Sequence, residues 1–137
     1  MSVRVGYGAV SPGADPMSEQ KILTKNQVRA EKAYKCVKTK ENHEDEKNYR
    51  QLARSFPALV HTCGLVQAVA FVMAKEGRTG TDYLGHLSTV MPLEPDNPDL
   101  AQQSRKAGLL QYQRLTRDAM DSATWLKRYA ETLLKES

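Results

Sequence analysis

Lys25, Arg29, Lys32 and Lys35 follow one another at intervals of three and four residues, a spacing that places four cationic groups on one face of a helix. Ammonium and guanidinium groups so arranged can neutralise successive phosphates of a nucleic acid and release their counterions. A solvated outer face carries the same pattern, so the local charge balance matters. From Lys21 to Lys40 there are seven basic residues and one acid, Glu31. Few nearby partners neutralise the stripe.

A second basic cluster lies near the C-terminus, where Lys127 and Arg128 have no acid four residues before them and are flanked by Trp125 and Tyr129. A ring beside cations can stack a nucleobase, although such rings more often fill a core or an interface. Packing is the favoured reading of both rings. Arg114 with Asp118 and Arg117 with Asp121 stand four apart, which suits local pairing and makes these arginines weaker phosphate candidates.

Other chemistries find less support. His61 and Cys63, two residues apart, point nearly opposite ways on a helix, and His43 and His86 add no ligand spacing, so no metal is expected. His61 could serve as an acid or base in a small ribonuclease, but a lone histidine on a packed helix is more often structural. Gly77-Arg78-Thr79-Gly80 matches the GxxG clamp of KH domains, which requires a three-stranded sheet, so it reads as a turn. The chain carries no phosphate loop, nucleophile elbow or zinc-binding HExxH. No enzyme class and no cofactor are expected.

The elements that must hold these residues can be read from length and periodicity. With 137 residues, net charge +4 and pI near 9.1, the chain suits one domain and a polyanionic partner. Two cysteines without CxxC spacing and no signal-peptide pattern suggest reduced thiols and a cytoplasmic location. Residues 1–16, rich in glycine and proline, read as a flexible tail; residues 17–137 read as one helical domain, and Met17 could start translation. Thr24 to Gln27 form a capping box for a first helix to about Lys38, with Leu23, Ala30, Ala33, Tyr34 and Val37 inward. Tyr49, Leu52, Ala53 and Phe56 mark a second helix.

Pro57 to Gly77 then reads as one buried central helix, with Phe71 in the core. His61, Thr62 and Gln67 interrupt its apolar run, which argues against a membrane span. Thr81 is the expected cap of a fourth helix. Asn97-Pro98 should open a short fifth helix ended by Gly108, and a long sixth runs from about Leu109 to Lys135, with Tyr112, Leu115, Ala119, Ala123, Leu126, Ala130 and Leu133 as its packing seam. No strand alternation is visible, so the expectation is an all-α compact bundle of about six helices around a buried central helix, with a long C-terminal helix.

Two motifs carry a resemblance. Tyr49-Arg50-Gln51-Leu52-Ala53 leading into Phe56-Pro57-Ala58-Leu59-Val60, Gly64-Leu65 and Ala70-Phe71, followed by Tyr112 through Trp125-Leu126-Lys127-Arg128-Tyr129-Ala130, resemble the small-subunit family of the type III-B (Cmr) CRISPR RNA-guided effector. The likeness covers roughly residues 28–134, with Cys63 where many relatives carry asparagine. It implies a non-catalytic helical subunit in antiviral defence, several copies of which stack into a filament along guide and target RNA beside the other subunits, with no membrane contact. Lys25, Arg29, Lys32, Arg54, Lys127 and Arg128 are then the candidates for RNA-backbone contact. The rival readings are a basic helical DNA-binding regulator and a protein-interaction module.

Overall fold

The computed structural model describes residues 23–93 and 99–136. Six helices follow in order: α1 (Lys25–Lys38), α2 (Glu46–Cys63), α3 (Leu65–Lys75), α4 (Gly77–Val90), α5 (Leu100–Lys106) and α6 (Leu109–Leu133). Among the described residues there is no strand, so the fold is all-α as expected. Residues 1–16, Met17 and Asn97-Pro98 lie outside the described residues.

The clearest local signal sets the first boundary. Thr24 Oγ1 accepts from the Gln27 amide at 3.1 Å while Gln27 Oε1 accepts from the Thr24 amide at 2.8 Å, which satisfies two donors that the first turn would otherwise leave open. The inward face of α1 is Arg29, Ala33 and Val37. Leu23 and Tyr34, expected inside, are 49% and 38% exposed.

Helix α6 is the element on which α1 and α2 both lie. Its buried seam is Leu115, Ala119, Ala123, Leu126 and Ala130, as its periodicity predicts. Contacts of Arg29 with Asp118 and of Asn42 with Lys135 show that α1 runs in the direction of α6. Arg54 with Glu131 and Tyr112 with Val66 show that α2 and the start of α3 run against it.

The single central helix is overturned. Pro57 sits inside α2, and the break comes instead at Gly64. The proline forfeits one backbone bond, but Tyr49, Leu52, Phe56 and Val60 form one buried face across it, and that packing outweighs the loss. Gly64 has φ +87° and ψ 163°, backbone that side-chain-bearing residues avoid. The freed first turn of α3 is completed by α6, since Tyr112 Oη accepts from the Val66 amide at 3.2 Å. An added Cβ at Gly64 would meet that oxygen at 3.6 Å, an ordinary contact. Gly64→Ala is therefore expected to cost about 1 to 3 kcal/mol through backbone strain alone. Denaturant unfolding measures it, and an unchanged midpoint would mean the break does not depend on glycine.

Helix α3 is covered on one side only. Leu65, Ala68, Val69 and Val72 are buried, whereas Phe71 and Met73 are 45% and 59% exposed, so Phe71 is not a core residue. The expected turn at Gly77 to Gly80 is the first turn of α4, and Thr81 lies within that helix, its hydroxyl donating to the Gly77 carbonyl. A Cβ at Gly80 would come within 2.8 Å of the Val72 carbonyl oxygen. Glycine there lets α4 lie directly on α3. Asp99, whose carboxylate accepts from the Gln102 amide, caps α5, and Gly108 is the residue before α6 rather than the end of α5.

A polar cluster ties the connection after α1 to α2 and α4. Lys40 is 3% exposed, and its Nζ donates to Asp45 at 3.0 Å and to Asp82 at 2.7 Å. Thr79 Oγ1 donates to Asp45 at 2.8 Å, and the Lys40 ammonium stands 5.6 Å from the centre of the Tyr49 ring. Burial alone would push Asp45 up, yet hydrogen bonds from Lys40, Thr79 and His43 bring its carboxyl down to about 2. Burial also acts against the Lys40 charge, but the two carboxylates outweigh it and hold the amine above its ordinary value.

Candidate nucleic-acid interface

Within the basic stripe of α1, Arg29 does not face solvent. It is 8% exposed, and its guanidinium donates to Asp118 at 2.9 Å and to Asp121 at 3.1 Å. A guanidinium fork is suited to holding two carboxylates. Arg29 is thereby a structural clasp between α1 and α6, and its donors are directed inward.

This clasp changes the standing of four other residues. Asp118 and Asp121 are engaged by Arg29 rather than by Arg114 and Arg117, so the local pairs suggested by the spacing are not the ones formed. Arg114 and Arg117 are exposed and, with Lys25 and Lys32, border a groove of about 630 Å³. Val28 and Val90 supply part of its apolar wall. Four cations thus line a surface whose two carboxylates are already bonded to a fifth. Such a groove can accept an anion chain without first breaking an internal ion pair.

The six sequence candidates divide between two edges of α6. Lys25, Arg29 and Lys32 border the groove, and Arg128 continues the Arg114, Arg117 and Asp121 edge at helical spacing. Arg54 lies on the other side, donating to Glu131 at 3.1 Å, and shares a smaller groove of about 200 Å³ with Lys47 and Arg50. Lys127, four residues before Glu131, belongs to that second side. Lys35, on the stripe, is exposed and only 3.6 Å from Glu31. Arg114 and Arg117, ranked in the sequence as the weaker candidates because of their local acids, line the groove without pairing to those acids. Residues 121, 125 and 128 continue their edge of the helix at steps of three and four.

Beyond the groove the same edge carries aromatic rings. Trp125 and Tyr129 stack with centroids 6.0 Å apart and planes 23° apart, and Tyr34 meets Tyr129 edge-on at 5.5 Å. The Arg128 guanidinium lies 5.2 Å from the centre of the Trp125 ring.

The remaining candidates are placed as follows. His61 is exposed on α2, while the Cys63 thiol donates to the Leu59 carbonyl at 3.2 Å. Burial raises the Cys36 thiol above its ordinary value. Among the described residues no group of three His, Cys, Asp or Glu side chains could hold a metal ion, and no helix is long and apolar enough to cross a membrane.

Comparison with known proteins gives three concordant findings. The family model described as CRISPR-associated protein (Cas_Cmr5) matches residues 25–133. The CRISPR system Cmr subunit Cmr5 of Thermus thermophilus is 41% identical over 116 residues, covering 84% of this chain and 100% of that protein. The crystal structure of a CRISPR-associated Cmr5 family protein from the same organism superposes with a TM-score of 0.76 at 37% identity, over 82% of this chain and 100% of the other.

Proposed function

This chain belongs to the Cmr5 family of CRISPR-associated proteins, and from that premise we propose that it is a non-catalytic small subunit of a type III-B effector whose α1/α6 groove lies against RNA backbone. The observation that carries the RNA contact is the Arg29 clasp. Arg29 offsets one of the two carboxylate charges of Asp118 and Asp121, and Lys25, Lys32, Arg114 and Arg117, which form no ion pair among the described residues, give the groove a net positive rim. Backbone contacts position an RNA without reading it, which suits a subunit that must serve any guide while base pairing selects the target.

The same reading includes stacking of copies beside other Cmr subunits. It is supported by apolar side chains left uncovered, with Leu109 and Leu110 at 73% and 75% exposure and Phe71 and Met73 on a different helix. Large exposed aliphatic and aromatic groups of this kind are what a partner surface would bury. Residues 17–137 acting as one helical domain, residues 1–16 as an appended tail, and a cytoplasmic location complete the proposal.

The test is the salt dependence of RNA binding by the assembled complex. Replacing Lys32 and Arg117 together by glutamine should weaken binding evenly across RNA sequences and lower the slope of log affinity against log salt by about 1.4, two phosphate contacts at ~0.7 each. The paired change Arg54→Gln and Lys127→Gln measures what the second edge adds. An unchanged affinity and slope in the first variant would remove RNA from the α1/α6 groove and leave a protein-interaction surface.

A further inference from the structure

Resting on the RNA reading above, we propose that Trp125, backed by Tyr129 and Tyr34, is a stacking site for an unpaired nucleobase of single-stranded RNA. The placement comes first. Arg117, Asp121, Trp125 and Arg128 succeed one another on one edge of α6 at steps of four, four and three residues. Trp125 therefore follows the cationic rim about 12 Å further along the helix, at 1.5 Å per residue. A strand held by its phosphates at Arg114 and Arg117 reaches the ring without leaving that edge.

The packing of the rings comes second. Trp125 and Tyr129 are only partly buried, and Tyr34 is 38% exposed. Tyr129 stacks on Trp125 and is itself met edge-on by Tyr34 from α1, and both Trp125 and Tyr129 pack in part against the core, so the indole is held in orientation. A ring fixed in this way loses little freedom on binding, which is the condition for an effective platform.

The cover over the indole comes third. Arg128 is exposed, its guanidinium lies 5.2 Å from the Trp125 ring centre, and it makes no ion pair among the described residues. An exposed cation–π contact is weaker than the stacking of a base on an aromatic ring. A base can therefore take the place of the guanidinium, and the displaced group becomes available to the adjoining phosphate. Every base has a π-face, so the site tolerates any sequence.

Trp125 is the single tryptophan of the chain, and its emission reports on the site directly. The full chain is titrated with an oligoadenylate and with an abasic ribose-phosphate oligomer of equal length. The expected result is binding of both, quenching of Trp125 by the oligoadenylate alone, and an advantage of about 5- to 150-fold for the base-bearing strand. That advantage should vanish in Trp125→Leu and shrink in Tyr34→Ala, where the exposed ring can be removed without opening the core. Melting curves establish that both variants are folded. Equal affinities without quenching would overturn the stacking site while leaving the groove as a phosphate track. Failure of both oligomers to bind would overturn the RNA reading and the stacking site together. Emission that changes with protein concentration and not with RNA would overturn the site in favour of an interface between copies.

Discussion

Lys40→Met is expected to lower the free energy of unfolding at neutral pH by about 3 kcal/mol, because it leaves the carboxylate of Asp45 in a confined site without its counter-charge. The side chains of Lys40 and Asp45 are 4% and 15% exposed, so neither is freely rescued by water. Asp82 is 34% exposed and can be solvated, which sets the expectation at the lower end for a broken buried pair. Methionine keeps the length of the stem and removes only the charge and its donors. The pH dependence follows from the depressed Asp45 carboxyl, held at about 2 when folded. Its contribution is present above the ordinary carboxylate value near 3.8 and is lost as pH falls from about 4 towards 2. Lys40 has the opposite sign: its raised amine stabilises below its ordinary value of 10.5 and the contribution is lost as pH rises through the folded value. Denaturant unfolding of both proteins at pH 7 and at pH 2 to 3 should show the gap between them closing in acid. A gap that stayed constant would mean that Lys40 acts through packing and not through charge.

Phe56→Ala should cost about 3 to 5 kcal/mol, whereas Phe71→Ala should stay within about 1 kcal/mol of the parent. Phe56 is fully buried, with its ring 5.2 Å from that of Tyr83, which is itself fully buried. Removing it leaves a cavity under α4 that α2 cannot close without shifting the face it shares with α6. Phe71 keeps 45% of its surface in water and so has far less transfer energy to lose. At about 4 °C per kcal/mol for a domain of this size, thermal unfolding separates the two variants by roughly 10 °C or more. The reverse order of melting temperatures would mean that α3 turns its other face inward.

These two phenylalanines also show what could be read from the chain and what could not. The helix ends of α1 and the seam of α6 were legible because each depends on neighbours three or four residues away. The apolar run around Gly64 was not, because a stretch that is hydrophobic all round contains no phase from which burial can be read. Periodicity also carries no information on the sign of φ, so a glycine at +87° looked like one more helical residue. Pro57 misled in the other direction: local chemistry favours a boundary there, and tertiary packing on both sides of it decides otherwise. Of the candidate phosphate contacts, Lys25 and Lys32 both lie on the groove, a placement that their helical spacing allows. The true partner of Asp118 and Asp121 lies 89 and 92 positions away, so the arginines four residues before each acid formed a local pattern that the folded chain does not use.

That separation has a thermodynamic consequence. One wall of the groove is α1 and the other is α6, so the site is assembled only when the first and last helices come together. Any ligand that spans both walls binds the closed form and not the open one. Its binding energy is therefore also docking energy for α1, in the amount RT ln(1 + [L]/Kd). The N-terminal helix becomes a component whose residence on the rest of the fold is set in part by occupancy, and the subunit's integrity and its engagement with a ligand form a single coupled equilibrium.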